Sequence, residues 1–457
     1  MSTNLSKQKR ESLVRQVQAI KKHIACAEQN EQTARMMSYI AEIEKSVVEE
    51  QYGLVFERHC EEIEVFLESH LPVLSENMEL FINRGGQVNT LIEGENLAAL
   101  QLLLETHQGK IDVIYIDPPY NTRNKGGSYD DAFVDKKDRF LHSKWLSFME
   151  KRLEMAQKLL SNQGLMLISI DDNEYAHLKM LCDRLFSEEN VETMIWQKVG
   201  DGDAGAGRMK ATRRFRIEHE YILVCYQNKS RTAFKKVLEM PSFKNKYTNP
   251  DNDARGAYKA GNISKDEQKS NPNGKNYYAV TSPTGKVFKR QWHFDKDEFE
   301  RLNQDGRIYW GKHQDAVPSL KIFIGEKRAV VPSSVLKQSG SATMGNKLMS
   351  ELFGKPVFKN SKPVKLLTYL LDRIDDKDVT VLDFFAGSGT TGHAVLKLNA
   401  EDGGTRRFIL CTSNENHICR DVAYERIRRV IDREGYTASL RYFRIDYRTS
   451  NADGVQK

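Results

Sequence analysis

Short apolar runs alternate with helix-length stretches twice along this chain of 457 residues, once from Val88 to Gln197 and again from Val357 to Tyr447. In the first block Val88–Ile92, Ile111–Ile116, Leu165–Ile170 and Thr193–Gln197 read as strands, with helices at Asn96–Thr106, His142–Leu160 and Tyr175–Phe186. In the second, Val379–Asp383, Phe408–Cys411 and Tyr442–Tyr447 read as strands among helices at Pro363–Ile374, Gly389–Leu398 and Arg420–Arg433. Buried strands joined by helices predict a parallel α/β sheet, since a parallel crossover needs a long return connection. Between the blocks the texture breaks into glycine-rich loops, short β-like pieces such as Tyr221–Tyr226 and a polar stretch at Asn249–Gly274. This middle part reads as an insertion. Residues 1–80 instead carry apolar positions at helical spacing (Leu13, Val17, Ile20, Ile24; Ile40, Ile43, Val47) and read as a helical segment, with a coiled-coil or oligomer prop as the plain interpretation.

Several function classes drop out on composition. No apolar run approaches the ~20 residues needed to cross a bilayer, and Met1–Arg10 is polar and basic with no apolar region behind it. A cytoplasmic location is expected. Six cysteines are scattered without a C-x-x-C pair, so neither a disulfide framework nor a zinc site of familiar spacing is written, and no metal is expected. The net charge of +6 is unevenly spread: Ala204–Phe294 holds 19 Lys/Arg against 7 Asp/Glu, a surplus of 12, which leaves −6 for the rest. Arg213, Arg214 and Arg216 around Phe215, with Lys289 and Arg290 beside Trp292, are the candidate phosphate contacts of this basic block.

Two strings carry chemistry. Asp117-Pro118-Pro119-Tyr120 follows the strand Ile111–Ile116 directly. Two prolines fix φ and remove two donors, giving a rigid turn with outward carbonyls. Such a turn suits a substrate with an exocyclic NH2 group. The Asp117 carboxylate and the Pro118 carbonyl would each accept one hydrogen, and Tyr120 would offer a face for a base, a contact worth ~1–3 kcal/mol. The bland alternative is an ordinary Asp-Pro turn.

The second string, Asp383-Phe384-Phe385-Ala386-Gly387-Ser388-Gly389-Thr390-Thr391-Gly392, joins a strand to an apolar helix. Glycines there let the backbone approach a ligand, and the helix N-terminus presents free N–H groups. His393 and Ala394 stand where a P-loop needs Lys and Ser/Thr, so triphosphate hydrolysis is disfavoured. Gly387-x-Gly389-x-x-Gly392 does satisfy a dinucleotide fingerprint, which keeps an NAD-dependent enzyme open. Asp383 argues otherwise, because a carboxylate there would oppose a pyrophosphate yet could hold the α-amino group of a methionine-like moiety. Glu415, past the next strand, is the candidate for ribose hydroxyls.

Together these strings resemble those of DNA amino-methyltransferases, a family with D-P-P-Y and F-x-G-x-G motifs. D-P-P-Y comes first here, by 268 positions, as in the circularly permuted β subgroup, where a target-recognition domain lies between the two motifs. Leu91-Ile92-Glu93-Gly94-Glu95-Asn96-Leu97, Trp145-Leu146-Ser147-Phe148-Met149, Ile168-Ser169-Ile170-Asp171-Asp172-Asn173-Glu174 and Gly306-Arg307-Ile308-Tyr309-Trp310-Gly311 extend the likeness. These are similar to the modification subunit of type III restriction-modification systems, from about Val88 to Val430. The resemblance implies a Rossmann-like sheet that uses S-adenosylmethionine, divided as helical segment 1–80, catalytic part 81–198, inserted recognition domain 199–355 and cofactor part 356–457. It implies methylation of the N6 amine of adenine flipped out of double-stranded DNA. A cytosine-N4 methyltransferase and a catalytically inactive specificity subunit are the alternatives. Catalysis would fall to Asp117, Pro118, Pro119 and Tyr120. The cofactor pocket would comprise Glu95, Asp383, Phe385, Gly387, Gly389 and Thr390, with Lys362-Pro363 matching a K-P string at the methionine end. Glu95 stands where the family usually has Asp, and the chain is shorter than such subunits commonly are. A homodimer and a restriction-subunit partner are left open. Gly200–Gly207 and Asn121–Asp131 read as mobile loops, the latter near the base pocket.

Overall fold

The computed structural model describes residues 5–27, 30–48, 56–122, 138–199, 215, 217–239, 247–337 and 339–449. Arg213, Arg214, Arg216 and nearly all of the two expected mobile loops therefore lie outside the described residues. The chain divides into two compact units, one of Met1–Ala233 with Ser334–Lys457 and one of Phe234–Ser333.

The first unit starts with helices α1 (Leu5–Ala25), α2 (Glu31–Val48) and α3 (Glu62–Ser69), and continues through β1 (His70–Glu76), β2 (Gln87–Glu93), α4 (Asn96–His107) and β3 (Ile111–Ile116). Next come α5 (Leu141–Leu159), β4 (Leu160–Ile170), α6 (Tyr175–Phe186), β5 (Val191–Gln197) and β6 (His219–Tyr226). The second unit holds β7 (Val237–Glu239), β8 (Tyr258–Asn262), β9 (Tyr277–Thr281), β10 (Val287–Gln291), α7 (Lys296–Gln304), β11 (Ile308–Tyr309), β12 (Ser319–Phe323) and β13 (Arg328–Val330). The chain then re-enters the first unit as β14 (Val335–Leu336), α8 (Ala342–Phe353), α9 (Val364–Leu371), β15 (Thr380–Asp383), α10 (Thr390–Asp402), β16 (Arg407–Thr412), α11 (Glu425–Glu434) and β17 (Ala438–Thr449).

Among the described residues ten strands form one sheet in the order β1-β17-β2-β16-β15-β3-β4-β6-β5-β14, parallel from β17 through β4. The expected α/β sheet is present, and its two halves meet where β15 pairs with β3, Val381 opposite Val113 and Leu382 opposite Ile114. From that seam β3 leads outward to β4 and β15 leads the opposite way to β16. Such a reversal of strand order opens a crevice at the carboxyl ends of the strands. The core explains why these runs pair: Ile111, Val113, Ile114, Ile116, Met166, Ile168 and Ile170 are wholly buried, covered in part by Trp145, Met149 and Leu153 of α5.

Two elements differ from the sequence reading. The last part of residues 1–80 is not helical, because His70–Glu76 pairs antiparallel with β17 as an edge strand, a position where Pro72 is tolerated. Tyr221–Tyr226, read as part of the insertion, belongs to β6 and runs antiparallel to both β4 and β5. The buried Ile222–Tyr226 run is a core strand whose partners are set by tertiary pairing alone. The second unit has its own core of Ile263, Val280, Phe288, Trp292, Phe299, Leu302, Ile308 and Trp310. Trp292 sits there with its indole N–H donating to the Tyr278 carbonyl at 2.8 Å, so it is a core residue rather than an exposed neighbour of the basic pair. Lys289 is exposed and Arg290 half-buried on β10. Among the described residues no helix is long and apolar enough to cross a membrane.

Candidate active site

The turn Asp117–Tyr120 begins where β3 leaves the core. The Trp145 indole donates to the Pro119 carbonyl at 2.8 Å, which holds the turn from behind, whereas no hydrogen bond among the described residues reaches the Pro118 carbonyl. Pro119 thus braces the turn and Pro118 keeps its acceptor. Beyond Tyr120, Asn121 adopts φ 55° and donates to Glu174 at 2.7 Å. Glu174 is fully buried and meets His142 at 2.8 Å and His177 at 3.0 Å through their Nδ1 atoms. The two imidazoles stack with centroids 4.4 Å apart and planes 27° from parallel. Glu174 thus joins Asn121 to both imidazoles, and His142, Glu174 and His177 bring three metal-ligating side chains together beside the turn.

A charged cluster surrounds Asp117. The Lys362 ammonium lies 2.8 and 2.9 Å from the two Asp117 oxygens, 2.8 Å from the Tyr120 hydroxyl and 3.4 Å from Glu220. Tyr120 donates to Asp117 at 2.8 Å and lies 3.2 Å from Glu220, which also pairs with Lys198 at 3.2 Å. Two cations and two carboxylates thus balance in a largely enclosed place. Burial pushes the Asp117 carboxyl up, with Lys362 pulling it back down. Burial likewise opposes the Lys362 charge, but Asp117 and Glu220 outweigh it and the ammonium is held well above its ordinary range. Burial also raises Glu220, yet Lys362 and Lys198 prevail and its net shift is downward. Tyr120 is pushed far up, first by burial and then by the two carboxylates, so its phenol stays protonated. The Asp117 side chain keeps 26% of its surface open. That opening faces the cavity described below.

Lys362 is placed by close packing of α8 behind it. A Cβ added to Gly345 would come 1.9 Å from the Ser361 carbonyl oxygen and 3.1 Å from the Lys362 carbonyl carbon. We expect Gly345→Ala to destabilise the protein by about 3 kcal/mol, at the upper end for overpacking, because backbone rather than a side-chain tip must give way. Thermal unfolding checks this; a melting temperature equal to wild type would remove the argument.

The glycine loop starts at Asp383, which is buried beside the seam with β3. Its Oδ1 accepts from the Phe385 N–H at 3.0 Å and its Oδ2 from the Thr391 hydroxyl at 2.5 Å. Burial raises this carboxyl to about 7 even so, and no cation among the described residues pairs with it. Gly387 and Gly389 hold φ 47° and 75°, left-handed values that the tight turn into α10 requires and that suit glycine. Gly389 is the residue that caps α10.

Both turns open into one cavity of about 320 Å³, lined by Asp117, Pro118, Tyr120, Lys362, Asp383, Phe385, Gly387 and Thr390 among the expected site residues. Tyr115, Asp171, Trp196, Lys198, Glu220, Phe358, Ser361 and Ser388 also line it and were not singled out in the sequence. Glu220 and Lys198 come from strand ends in or beside the insertion, where no spacing flags a carboxylate or an amine. Glu95 and Glu415 do not line this cavity. The Glu95 carboxylate caps α4 by accepting from Leu97 N and Ala98 N at 2.6 and 3.1 Å, and pairs with buried Arg152 at 2.6 Å. Glu415 is exposed in a short turn after β16, and Pro363 caps α9.

Comparison with known proteins places this geometry. The profile of a family described as DNA methylase matches residues 111–423. The chain is 33% identical to the Mod subunit of the type III restriction-modification enzyme StyLTI of Salmonella typhimurium over 393 residues, 80% of this chain and 59% of that one. Against the EcoP15I Mod subunit of Escherichia coli it is 29% identical over 73% of this chain and 59% of the relative. With the type II methyltransferase M.KpnI of Klebsiella pneumoniae it shares 33% identity over 73% of this chain and 82% of the relative. The chain thus spans about three-fifths of the length of the two type III subunits.

Proposed function

The chain belongs to the DNA methylase family, and from that membership we propose that it methylates the exocyclic N6 amine of an adenine flipped out of double-stranded DNA, with S-adenosylmethionine as donor. One observation carries the reading most directly. The acceptor turn at Asp117 and the glycine turn at Asp383, 266 positions apart in the chain, open into the same cavity. The residues fit the cofactor. Asp383 offers a carboxylate with no cationic partner among the described residues, suited to an α-ammonium group, and the glycine turn lets the backbone approach closely. Phe385 and Phe358 add aromatic wall. When bound, the cofactor supplies a methyl group already activated by a sulfonium.

The protein's task is then alignment, which substitutes fixed geometry for a chance encounter. The Asp117 carboxylate and the Pro118 carbonyl accept the two N–H bonds of the target amine, which draws its lone pair out of ring conjugation. The Lys362 ammonium sits on the Asp117 carboxylate and the Tyr120 hydroxyl. Lys362 must yield part of those bonds as the amine arrives, while its charge keeps Asp117 ionised and accepting. Burial-raised Asp117 is also suited to take the proton the amine sheds once methylated. Asp rather than Ser ahead of Pro-Pro-Tyr favours adenine over cytosine. The base is expected to leave the duplex at a cost of a few kcal/mol. Lys289 and Arg290, with Arg213, Arg214 and Arg216, are proposed phosphate contacts, and the names of the type III relatives support a role in a restriction-modification system.

Incubation with tritiated S-adenosylmethionine and unmethylated DNA, followed by mass spectrometry of the nucleosides, should yield N6-methyladenine. Unlabelled DNA, or N4-methylcytosine alone, would reject the assignment. The titration of Asp383 adds a second expectation. A ligand ammonium needs the carboxylate form, so affinity for S-adenosylhomocysteine should rise about tenfold between about pH 5.5 and about pH 7, below the ligand amine's own range. Calorimetry should show this rise in wild type and a flat profile in Asp383→Asn; equal slopes would remove Asp383 from the site.

A further inference from the structure

His142, Glu174 and His177 meet beside Asn121, the residue that follows the acceptor turn. Glu174 is the N-cap of α6 and His177 lies three positions on, in the first turn, so the helix itself sets these two side by side. His142 comes from the first turn of α5, 35 positions before His177, and no spacing in the sequence signals the trio. One ligand atom from each of the three lies within 4.8 Å of the others.

Two features go beyond an ordinary hydrogen-bonded brace. The Glu174 carboxylate is wholly buried, yet among the described residues no lysine or arginine pairs with it, and a buried carboxylate without a cation is costly. Its two oxygens are also used unequally. Oε1 takes Asn121 at 2.7 Å and His142 at 2.8 Å, whereas Oε2 has no hydrogen-bond partner. His177 Nδ1 stands 3.0 Å from Oε2 and has no hydrogen-bond partner either, so the two atoms are close without the alignment that a shared proton needs. Ligand atoms bonded at ~2.0–2.1 Å to one ion lie roughly 3 Å from each other. The Nδ1 atoms, at 2.8 and 3.0 Å from the carboxylate, fit that span. The His142 side chain is 46% exposed, which gives an ion a way in and leaves room for water.

We propose that His142, Glu174 and His177 bind a divalent transition-metal ion of the zinc class, with water completing the set. Two imidazoles and a carboxylate suit Zn2+, whereas Mg2+ and Ca2+ take oxygen ligands. The ion supplies the positive charge that buried Glu174 lacks. It also joins three segments: the residue after the acceptor turn, the start of α5 and the start of α6. Its role is structural, because fixing Glu174 holds Asn121 at φ 55° and with it the backbone leaving Tyr120.

Zn2+ titration of the tag-free full chain, stripped beforehand with a chelator and read against a chromogenic chelator, tests the site, with thermal melting in parallel. Wild type should bind one equivalent with Kd below about 1 µM and melt about 3 °C higher when saturated. His142→Asn keeps an N–H near the place of Nδ1, so a purely hydrogen-bonded brace survives while the imidazole ligand is lost. It and His177→Asn should each weaken binding by about 100-fold or more and abolish the melting shift. Co2+ in wild type should show visible bands of nitrogen and oxygen ligands, with no thiolate charge-transfer band. Wild type that takes up no Zn2+ would overturn the site, as would equal uptake by both variants or a thiolate band, which would place the metal on cysteine. Binding and melting are read without DNA or S-adenosylmethionine, so they stand or fall apart from methyl transfer.

Discussion

Asp117→Ala should lower the rate of methyl transfer by about 10³-fold while S-adenosylhomocysteine affinity stays within about threefold, because the carboxylate acts on the amine and not on the amino-acid end of the cofactor. The size of the effect follows from what is lost. The target amine would keep one acceptor, the Pro118 carbonyl, and its lone pair would return to the ring. The proton shed after methylation would also lose its nearest base. The fold should survive, because Lys362 retains Glu220 at 3.4 Å and Tyr120 retains the same carboxylate at 3.2 Å. Asp117→Asn is the sharper comparison, since it preserves shape and one acceptor oxygen but no charge. Single-turnover rates with calorimetric cofactor affinities decide the matter. Methylation at wild-type rate in Asp117→Ala would dismiss the catalytic assignment.

Lys362→Met should reduce methyl transfer at neutral pH by about 100-fold and move the pH–rate profile upward. Burial already raises Asp117, and Lys362 is the leading influence that lowers it. Without that ammonium the carboxyl is pushed further up and binds a proton more readily, and a protonated carboxyl donates where the reaction needs an acceptor. Activity should therefore return as the medium becomes alkaline. Stability gives an independent reading of the same change. A carboxyl whose folded pKa exceeds its unfolded value binds more protons when folded, so stability falls as pH rises from the unfolded pKa toward the folded one. The variant should melt closer to wild type at about pH 5 than at about pH 8. A profile that falls in height without moving would mean that Lys362 acts on the cofactor alone.

The two turns were legible because their chemistry is local. A strand end followed by Asp117-Pro118-Pro119-Tyr120, or by a glycine turn into a helix, dictates its own backbone within a few residues, and eight of the expected site residues line the cavity. Local reasoning was weaker for Glu95, whose carboxylate is taken up by α4 and Arg152, and for Trp292, which fills the core of the second unit. An isolated carboxylate or aromatic does not announce whether it faces a ligand or its own chain. The register of β6 against β4 and β5 brings Glu220 to Lys362, and no nearby residue of the sequence signals that contact.

Lys362 shows the division most clearly. Its place in a K-P string marked it for the cofactor, yet its ammonium rests on Asp117, 245 positions away. His142 and His177 likewise read as separate histidines on two helices, until Glu174 gathers them. The amino-acid order alone determined the strand–helix alternation, the two turns and the basic surplus of the insertion, because propensity, proline and glycine geometry and charge act over short distances. Which charges meet was decided by the pairing of β3 with β15 and of β6 with β4, since buried ions must find partners wherever the sheet carries them.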